Sequence, residues 1–135
     1  MNSEIFLYPI TIKEVYLDTF GHMNHAMYLV LFEEARWELV TRNGYGIAKI
    51  QEIGLGPIIL EVNIRYLKEL QLRSEVIIET QLLSYEKKIA KVQQRMVCKG
   101  DICCVAEFTI GLFCLKERKL VSPTPEWLRA IGVHS

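Results

Sequence analysis

The chain has 135 residues, 50% of them hydrophobic, and its 16 Lys and Arg residues balance its 16 Asp and Glu residues. A chain of this length buries one core and leaves little space for a second, so we expect a single domain over residues 1–135. The balanced charge argues against binding nucleic acid or an anionic membrane through bulk electrostatics. The expected binding partner is therefore a small-molecule substrate or another protein.

The N-terminal sequence MNSEI has neither the basic start nor the apolar stretch of a signal peptide. No apolar run approaches the roughly 18 residues of a membrane span. We therefore expect a cytoplasmic protein without a membrane partner. The cysteines form no CxxC pair and lie in strand-like segments, which predicts reduced, structural thiols at Cys98, Cys103, Cys104 and Cys114.

The first predicted elements are a strand and a long helix. Residues 4–16 are rich in Ile, Val, Tyr and Thr and predict a strand, interrupted or at a sheet edge near Pro9. Residues 26–43 contain good helix formers, no Gly or Pro, and a Glu38/Arg42 pair at i,i+4. The apolar residues of this helix cover more than one narrow stripe, which predicts that other structure wraps around it.

The second half of the chain reads as strands. After a short segment at 47–53 and a turn at 54–57, residues 58–66 alternate between apolar and polar. Three more strands are predicted near 75–84, 88–98 and 102–115, with reversals at 85–87 and 99–101. Such short connections indicate an antiparallel meander. The order of elements predicts an α+β fold in which one antiparallel sheet curls around the helix.

Chemistry is expected at the start of the long helix. The stretch from Asp18 to Tyr28, DTFGHMNHAMY, places a carboxylate, two imidazoles and an amide directly ahead of it. A helix start presents unpaired N–H groups and the positive end of the macrodipole, which favour negative charge developing on a reacting oxygen. The segment therefore predicts an acyl-transfer or hydrolysis site.

Three segments together carry a family resemblance. The pattern DxxGHxNHxxY at 18–28, EEAR at 33–36 and VxIxYxKxL at 62–70 resemble the hotdog-fold acyl-CoA thioesterases of the 4-hydroxybenzoyl-CoA thioesterase and YbgC-like group, over nearly the full chain. The resemblance implies a hotdog fold, one curved antiparallel sheet around a long central helix. It also implies hydrolysis of an acyl thioester of coenzyme A or an acyl carrier, no metal or organic cofactor, and a homodimer or a homotetramer built as a dimer of dimers.

The resemblance also assigns residues. Asp18 matches the catalytic carboxylate, which acts as nucleophile or as general base. His25 occupies the position whose backbone N–H would polarise the thioester carbonyl and hold the oxyanion, and its imidazole is a second candidate donor. Residues 57–60 of a neighbouring chain are candidates to complete the pocket. The expected substrate-binding residues are Gly21, His22, Asn24, Tyr28, Ile59 and Leu60.

Each of these residues also has a purely structural interpretation. Asp18 is a favoured turn residue, His22 a turn-bonding imidazole, Asn24 a helix N-cap and Tyr28 a core aromatic. The neighbouring pair of glutamates at 33 and 34 is expected to pair with Arg36 or with the sheet rim.

Three other functions remain open from the sequence. They are a non-catalytic acyl-CoA-binding hotdog protein, a metal-dependent hydrolase using Asp18, His22 and His25, and a hotdog dehydratase, whose usual His-Phe-Pro-Gly type of sequence is absent. No Gly-x-Ser-x-Gly nucleophile motif occurs. A carboxylate suffices for thioester hydrolysis, because a thiol with a pKa of roughly 8.5 leaves with little proton donation.

Overall fold

A computed structural model describes residues 3–134 of the chain. Its elements, in chain order, are β1 (Phe6–Thr11), a 3-10 turn (Glu14–Tyr16), α1 (His25–Arg42), α2 (Ile47–Ile53), β2 (Leu55–Tyr66), β3 (Glu75–Glu86), β4 (Ile89–Cys98), β5 (Asp101–Cys114), β6 (Lys119–Val121) and α3 (Pro125–Ala130). The strands form one antiparallel sheet in the order β1-β3-β4-β5-β2, with β6 beside β5. This architecture confirms the predicted α+β hotdog fold.

The predicted meander holds for three strands only. β3, β4 and β5 follow one another as hairpins, whereas β2 pairs with β5 at the far edge of the sheet and does not contact β3. The connection from β2 to β3 therefore crosses the sheet. It is anchored by the N–H groups of Leu67 and Lys68, which both donate to the Cys103 carbonyl, and by the buried side chain of Leu70.

Helix α1 lies on the sheet with one face. Tyr28, Leu31, Phe32, Ala35, Leu39 and Val40 are buried in the main hydrophobic core. The apolar side chains of Leu29, Val30 and Trp37 stay exposed. Within one chain, the sheet thus covers only part of the apolar surface of α1. None of the helices in residues 3–134 is long and apolar enough to span a membrane.

Two predicted boundaries are wrong. The first strand ends at Thr11, because Ile12 turns inward and exchanges backbone hydrogen bonds with the β2–β3 connection, at Ser74 and Arg73. The turn predicted at 54–57 is confined to Gly54, which ends α2 with a left-handed φ of 74°. Strand β2 begins at the next residue, so the site segment 57–60 lies in an edge strand.

Candidate active site

A tight loop precedes α1 and carries Asp18. Leu17 and Met23 form an isolated antiparallel bridge across it. Inside the bridge, the Asp18 N–H donates to the His22 carbonyl at 2.9 Å and the Gly21 N–H donates to the Asp18 carbonyl at 3.1 Å. Gly21 has a φ of 82°, a conformation that glycine adopts without steric cost. The backbone of Asp18 is therefore held on both sides.

The carboxylate of Asp18 has one oxygen engaged and one available. Oδ1 accepts a hydrogen bond from the Phe20 N–H at 2.9 Å, as in an Asx-turn. Oδ2 has no hydrogen-bond partner within residues 3–134. The Phe20 side chain at the tip of the loop is 82% exposed. The turn-forming interpretation of Asp18 therefore holds, and it leaves the second oxygen free for chemistry.

Asn24 caps α1, as predicted. Its Oδ1 accepts from the Ala26 N–H at 2.8 Å, and its carbonyl accepts from the Met27 N–H at 2.9 Å. The first N–H groups of a helix have no partner inside the helix. Asn24 accepts from the N–H groups of Ala26 and Met27, whereas the N–H of His25 has no partner in the described part of the chain. This donor lies at the positive end of the macrodipole of an 18-residue helix.

A cleft of about 330 Å³ opens beside the helix start. It is lined by His22, Met23, His25, Tyr28, Tyr66, Leu67, Lys68 and Glu69. The Tyr66 hydroxyl donates to the His25 carbonyl at 3.2 Å, and its ring meets the edge of Tyr28 with centroids 4.9 Å apart. Strand β2 thus reaches across to α1 at this point and closes one side of the cleft.

Three titratable side chains of the cleft, His22, Lys68 and Glu69, are already paired. The imidazole Nδ1 of His22 contacts the Glu69 carboxylate, and Lys68 pairs with Asp101 at 3.0 Å. Burial raises the pKa of Tyr28 to about 12, with smaller contributions from nearby cysteines, so its phenol stays neutral at physiological pH. Tyr28 therefore contributes an uncharged aromatic ring to the lining of the cleft.

The structure brings together only part of the predicted set. His22, His25 and Tyr28 line the cleft, while Asp18, Gly21 and Asn24 belong to the adjoining loop and do not line it. Ile59 instead lines a second cavity between α1 and the sheet, and Leu60 is exposed beside the bulge of β2. Within a single chain, the predicted residues 59 and 60 are not part of the cleft.

The metal-site alternative finds no geometric support. Across residues 3–134, no three His, Cys, Asp or Glu side chains come together in a way that would hold a metal ion. His22 uses its Nδ1 toward Glu69, and one carboxylate oxygen of Asp18 accepts from the Phe20 N–H of its own loop.

Two groups of residues were missed from the sequence. Tyr66 and the segment 67–69 belong to the pattern VxIxYxKxL, but that pattern was interpreted as a strand, and β2 ends at Tyr66. The partly buried hydrogen bond from Arg36 to Gln94 joins α1 to β4, and no signal in the sequence pairs these two positions. Of the two glutamates at 33 and 34, Glu34 accepts a hydrogen bond from Tyr8 of the edge strand β1 at 2.9 Å, so it pairs with the sheet rim, one of the two expected partners.

Comparison with known proteins places the chain in a family. The model of the thioesterase-like superfamily matches residues 13–131. The long-chain acyl-CoA thioesterase FadM of Escherichia coli is 26% identical over 106 residues, which are 78% of this chain and 80% of that protein.

Two solved structures share the fold. A hypothetical protein of Staphylococcus aureus, solved in complex with CoA, superposes with a TM-score of 0.88 at 17% identity, covering 97% of this chain and 84% of that one. The DHNA-CoA thioesterase of the same organism has a TM-score of 0.82 at 18% identity, covering 93% and 87%. Since the family model spans all but the two ends, the chain belongs to the thioesterase-like superfamily, and the thioester-hydrolase class predicted from its sequence is confirmed at family level.

Proposed function

We propose that this protein hydrolyses an acyl-coenzyme A thioester to the free acid and the thiol, with Asp18 as the reacting carboxylate. The observation that carries the proposal is the pairing of two groups on one short loop. Asp18 keeps one carboxylate oxygen free, and seven residues later the His25 N–H stands unpaired at the start of α1. A base or nucleophile and an oxyanion donor are the two groups that thioester hydrolysis requires.

The His25 N–H would hold the thioester carbonyl oxygen and the negative charge that develops on it. Either the free oxygen of Asp18 takes a proton from water as that water attacks the carbonyl carbon, or it attacks that carbon itself to form an anhydride, which water then hydrolyses. In both routes the C–S bond breaks and the thiolate leaves, which a thiol pKa of roughly 8.5 makes easy. The reaction needs no cofactor.

The Asn24 cap supports this geometry indirectly. By taking the N–H groups of Ala26 and Met27, it leaves the N–H of His25 as the available donor and fixes where the helix begins. Because that donor belongs to the backbone, the His25 imidazole is not required for it.

Coenzyme A as the thiol is supported by the relatives. One is a long-chain acyl-CoA thioesterase, and another was solved with CoA bound. The aromatic and apolar side chains of Met23, Tyr28, Tyr66 and Leu67 around the cleft suit the uncharged part of such a ligand.

We further propose that residues 1–135 act as one domain and that the enzyme is a homodimer paired through the edge of β2, on its own or as half of a homotetramer. β2 is a 12-residue edge strand that exposes Ile59, Leu60 and Val62. A long apolar edge favours pairing with another strand, and twofold symmetry closes such a pair. In that dimer, residues 57–60 of one chain approach the helix start of the other and complete its active site.

The test is Asp18→Asn, because asparagine keeps the shape and the turn-forming oxygen but not the basicity. We expect thiol release from acyl-CoA to fall at least a hundredfold, since general-base catalysis contributes about 10²–10⁴-fold. The melting temperature, oligomeric state and acyl-CoA affinity should change little. His25→Ala is the matched control and should retain most of the turnover. Near-normal turnover in Asp18→Asn would refute the assignment and leave the binding-only function standing.

A further inference from the structure

A second cavity, distinct from the cleft at the helix start, lies between the C-terminal half of α1 and the inner face of the sheet. Its volume is about 90 Å³. Most of the wall is aliphatic or aromatic, including Leu39, Leu82, Val92, Ile110 and Trp127. An engineered cavity of about 150 Å³ holds a benzene molecule. The cavity is therefore sized for a narrow chain end.

Two charged residues, Arg36 and Glu33, lie in the otherwise largely apolar wall of this cavity. The guanidinium of Arg36 lies 4.2 Å over the ring centroid of Phe108. Its Nη1 donates to Gln94 Oε1 at 2.8 Å. Gln94 is itself fully buried, and its Nε2 donates to the Phe32 carbonyl and to Thr80 Oγ1, each at 2.9 Å. Arg36 is thus held in place by a neutral network.

No carboxylate neutralises Arg36. Within residues 3–134, no Asp or Glu oxygen lies within salt-bridge distance of its guanidinium, and its bond to Gln94 uses one of five N–H donors. Burial lowers its pKa to about 10, which the nearby Glu33 partly opposes, so the group remains charged at neutral pH. Partial burial of a cation that has no salt-bridged carboxylate is costly, and a bound anion would offset that cost.

The cavity shares residues with the proposed neighbouring active site. Pro57 and Ile59 line it, and they belong to the β2 segment that would complete the site of the partner chain. An acyl chain leaving the partner's helix start along this segment would enter the cavity with its far end foremost. This step rests on the proposed thioesterase function and dimer.

We propose that the cavity receives the far end of the acyl group and that Arg36 selects acyl thioesters ending in a carboxylate, the half-thioesters of dicarboxylic acids. The planar guanidinium offers parallel N–H donors that match a carboxylate, whereas the surrounding aliphatic wall accepts the methylene chain.

The experiment compares matched CoA thioesters that differ only at the far end, methyl against carboxyl, across a series of chain lengths. The wild type is expected to favour the carboxyl-ended substrate in kcat/KM by at least about tenfold at its preferred length. Arg36→Met should abolish that preference, and Arg36→Lys should retain part of it, because a lysine keeps the charge but not the paired donors. Arg95→Met is the control, since Arg95 lies next to Gln94 but pairs with Glu79, and its preference should be unchanged.

Equal or better turnover of the methyl-ended substrate by the wild type would overturn the proposal, as would an Arg36→Met enzyme with an unchanged ratio. If no thioester is hydrolysed at all, the proposed function fails, and the cavity is tested separately by thermal shift. A free dicarboxylic acid that raises the Tm of the wild type but not of Arg36→Met, with the neutral diol of equal length giving no shift, would support the site. No shift with the dicarboxylic acid would overturn it.

Discussion

Replacing Gln94 tests how much buried hydrogen bonds, as opposed to apolar packing, contribute to the stability of this fold. It is 0% exposed and makes three hydrogen bonds, donating to Phe32 and Thr80 and accepting from Arg36. These bonds join helix α1 to strands β3 and β4 at the centre of the sheet. Leucine fits a buried site of similar size, so Gln94→Leu removes the bonds without opening a large cavity.

The expected cost follows from the partners left behind. Two neutral hydrogen bonds contribute about 1 kcal/mol each, and one to a charged group about 1.5–3 kcal/mol. We therefore expect Gln94→Leu to lower the free energy of unfolding by about 3–5 kcal/mol, a large share of the 5–15 kcal/mol typical of a domain. Most of the loss reflects the stranded charge of Arg36.

The assay is urea unfolding of four proteins: wild type, Gln94→Leu, Arg36→Met and the double variant. Because the double variant has no charge left unpaired, it should recover at least about 1 kcal/mol relative to the sum of the single changes. Gln93→Leu, one residue earlier on β4, is the control and should change stability by less than about 0.5 kcal/mol. A loss below about 1 kcal/mol in Gln94→Leu, or strict additivity in the double variant, would refute the reasoning.

Three further outcomes are expected. Asn24→Ala should lower the free energy of unfolding, measured in urea, by about 1 kcal/mol and should also reduce kcat. Asn24→Asp should keep the stability of the wild type. An unchanged kcat in Asn24→Ala would show that the cap does not position the oxyanion donor. Leu60→Arg on β2 should dissociate the oligomer in sedimentation, while Leu7→Arg, on the other edge strand and also exposed, should not; a dimer that survives the first change would exclude the β2 edge. The hydrogen bond from Lys49 holds the pKa of Glu126 below its ordinary value. The stability that this pair adds is therefore present above the ordinary pKa of a glutamate and is lost as the pH falls through the lowered pKa. The stability difference between wild type and Glu126→Gln should therefore shrink in acid, and a difference that grows there would contradict the pairing.

Local features of the chain were predictable because they depend on neighbouring residues. The long helix was expected at 26–43 and spans His25–Arg42, with the expected cap at Asn24. Strands β3, β4 and β5 were also predicted from local sequence, because polar turn residues separate their apolar stretches. Helix α3 was missed although its signals are local, a capping Thr124 followed by Pro125 at the first turn.

Features that join distant segments were not predictable. The alternation of residues 58–66 indicates a strand but not its neighbour, and only packing decides that β2 lies beside β5 at a sheet edge. For the same reason, the contact of the Tyr66 hydroxyl with the His25 carbonyl could not be anticipated.

The same distinction between local and long-range features applies to the candidate site. The sequence by itself determined the family, the long helix and the loop that carries Asp18 and His25, because all of these lie within short stretches whose residue types dictate turn, cap and helix. The tertiary structure alone decided that Arg36 meets Gln94 in an apolar cavity, because that contact joins positions 58 residues apart. Its energetics depend on burial and on the lack of a carboxylate partner, and both are properties of the packed chain.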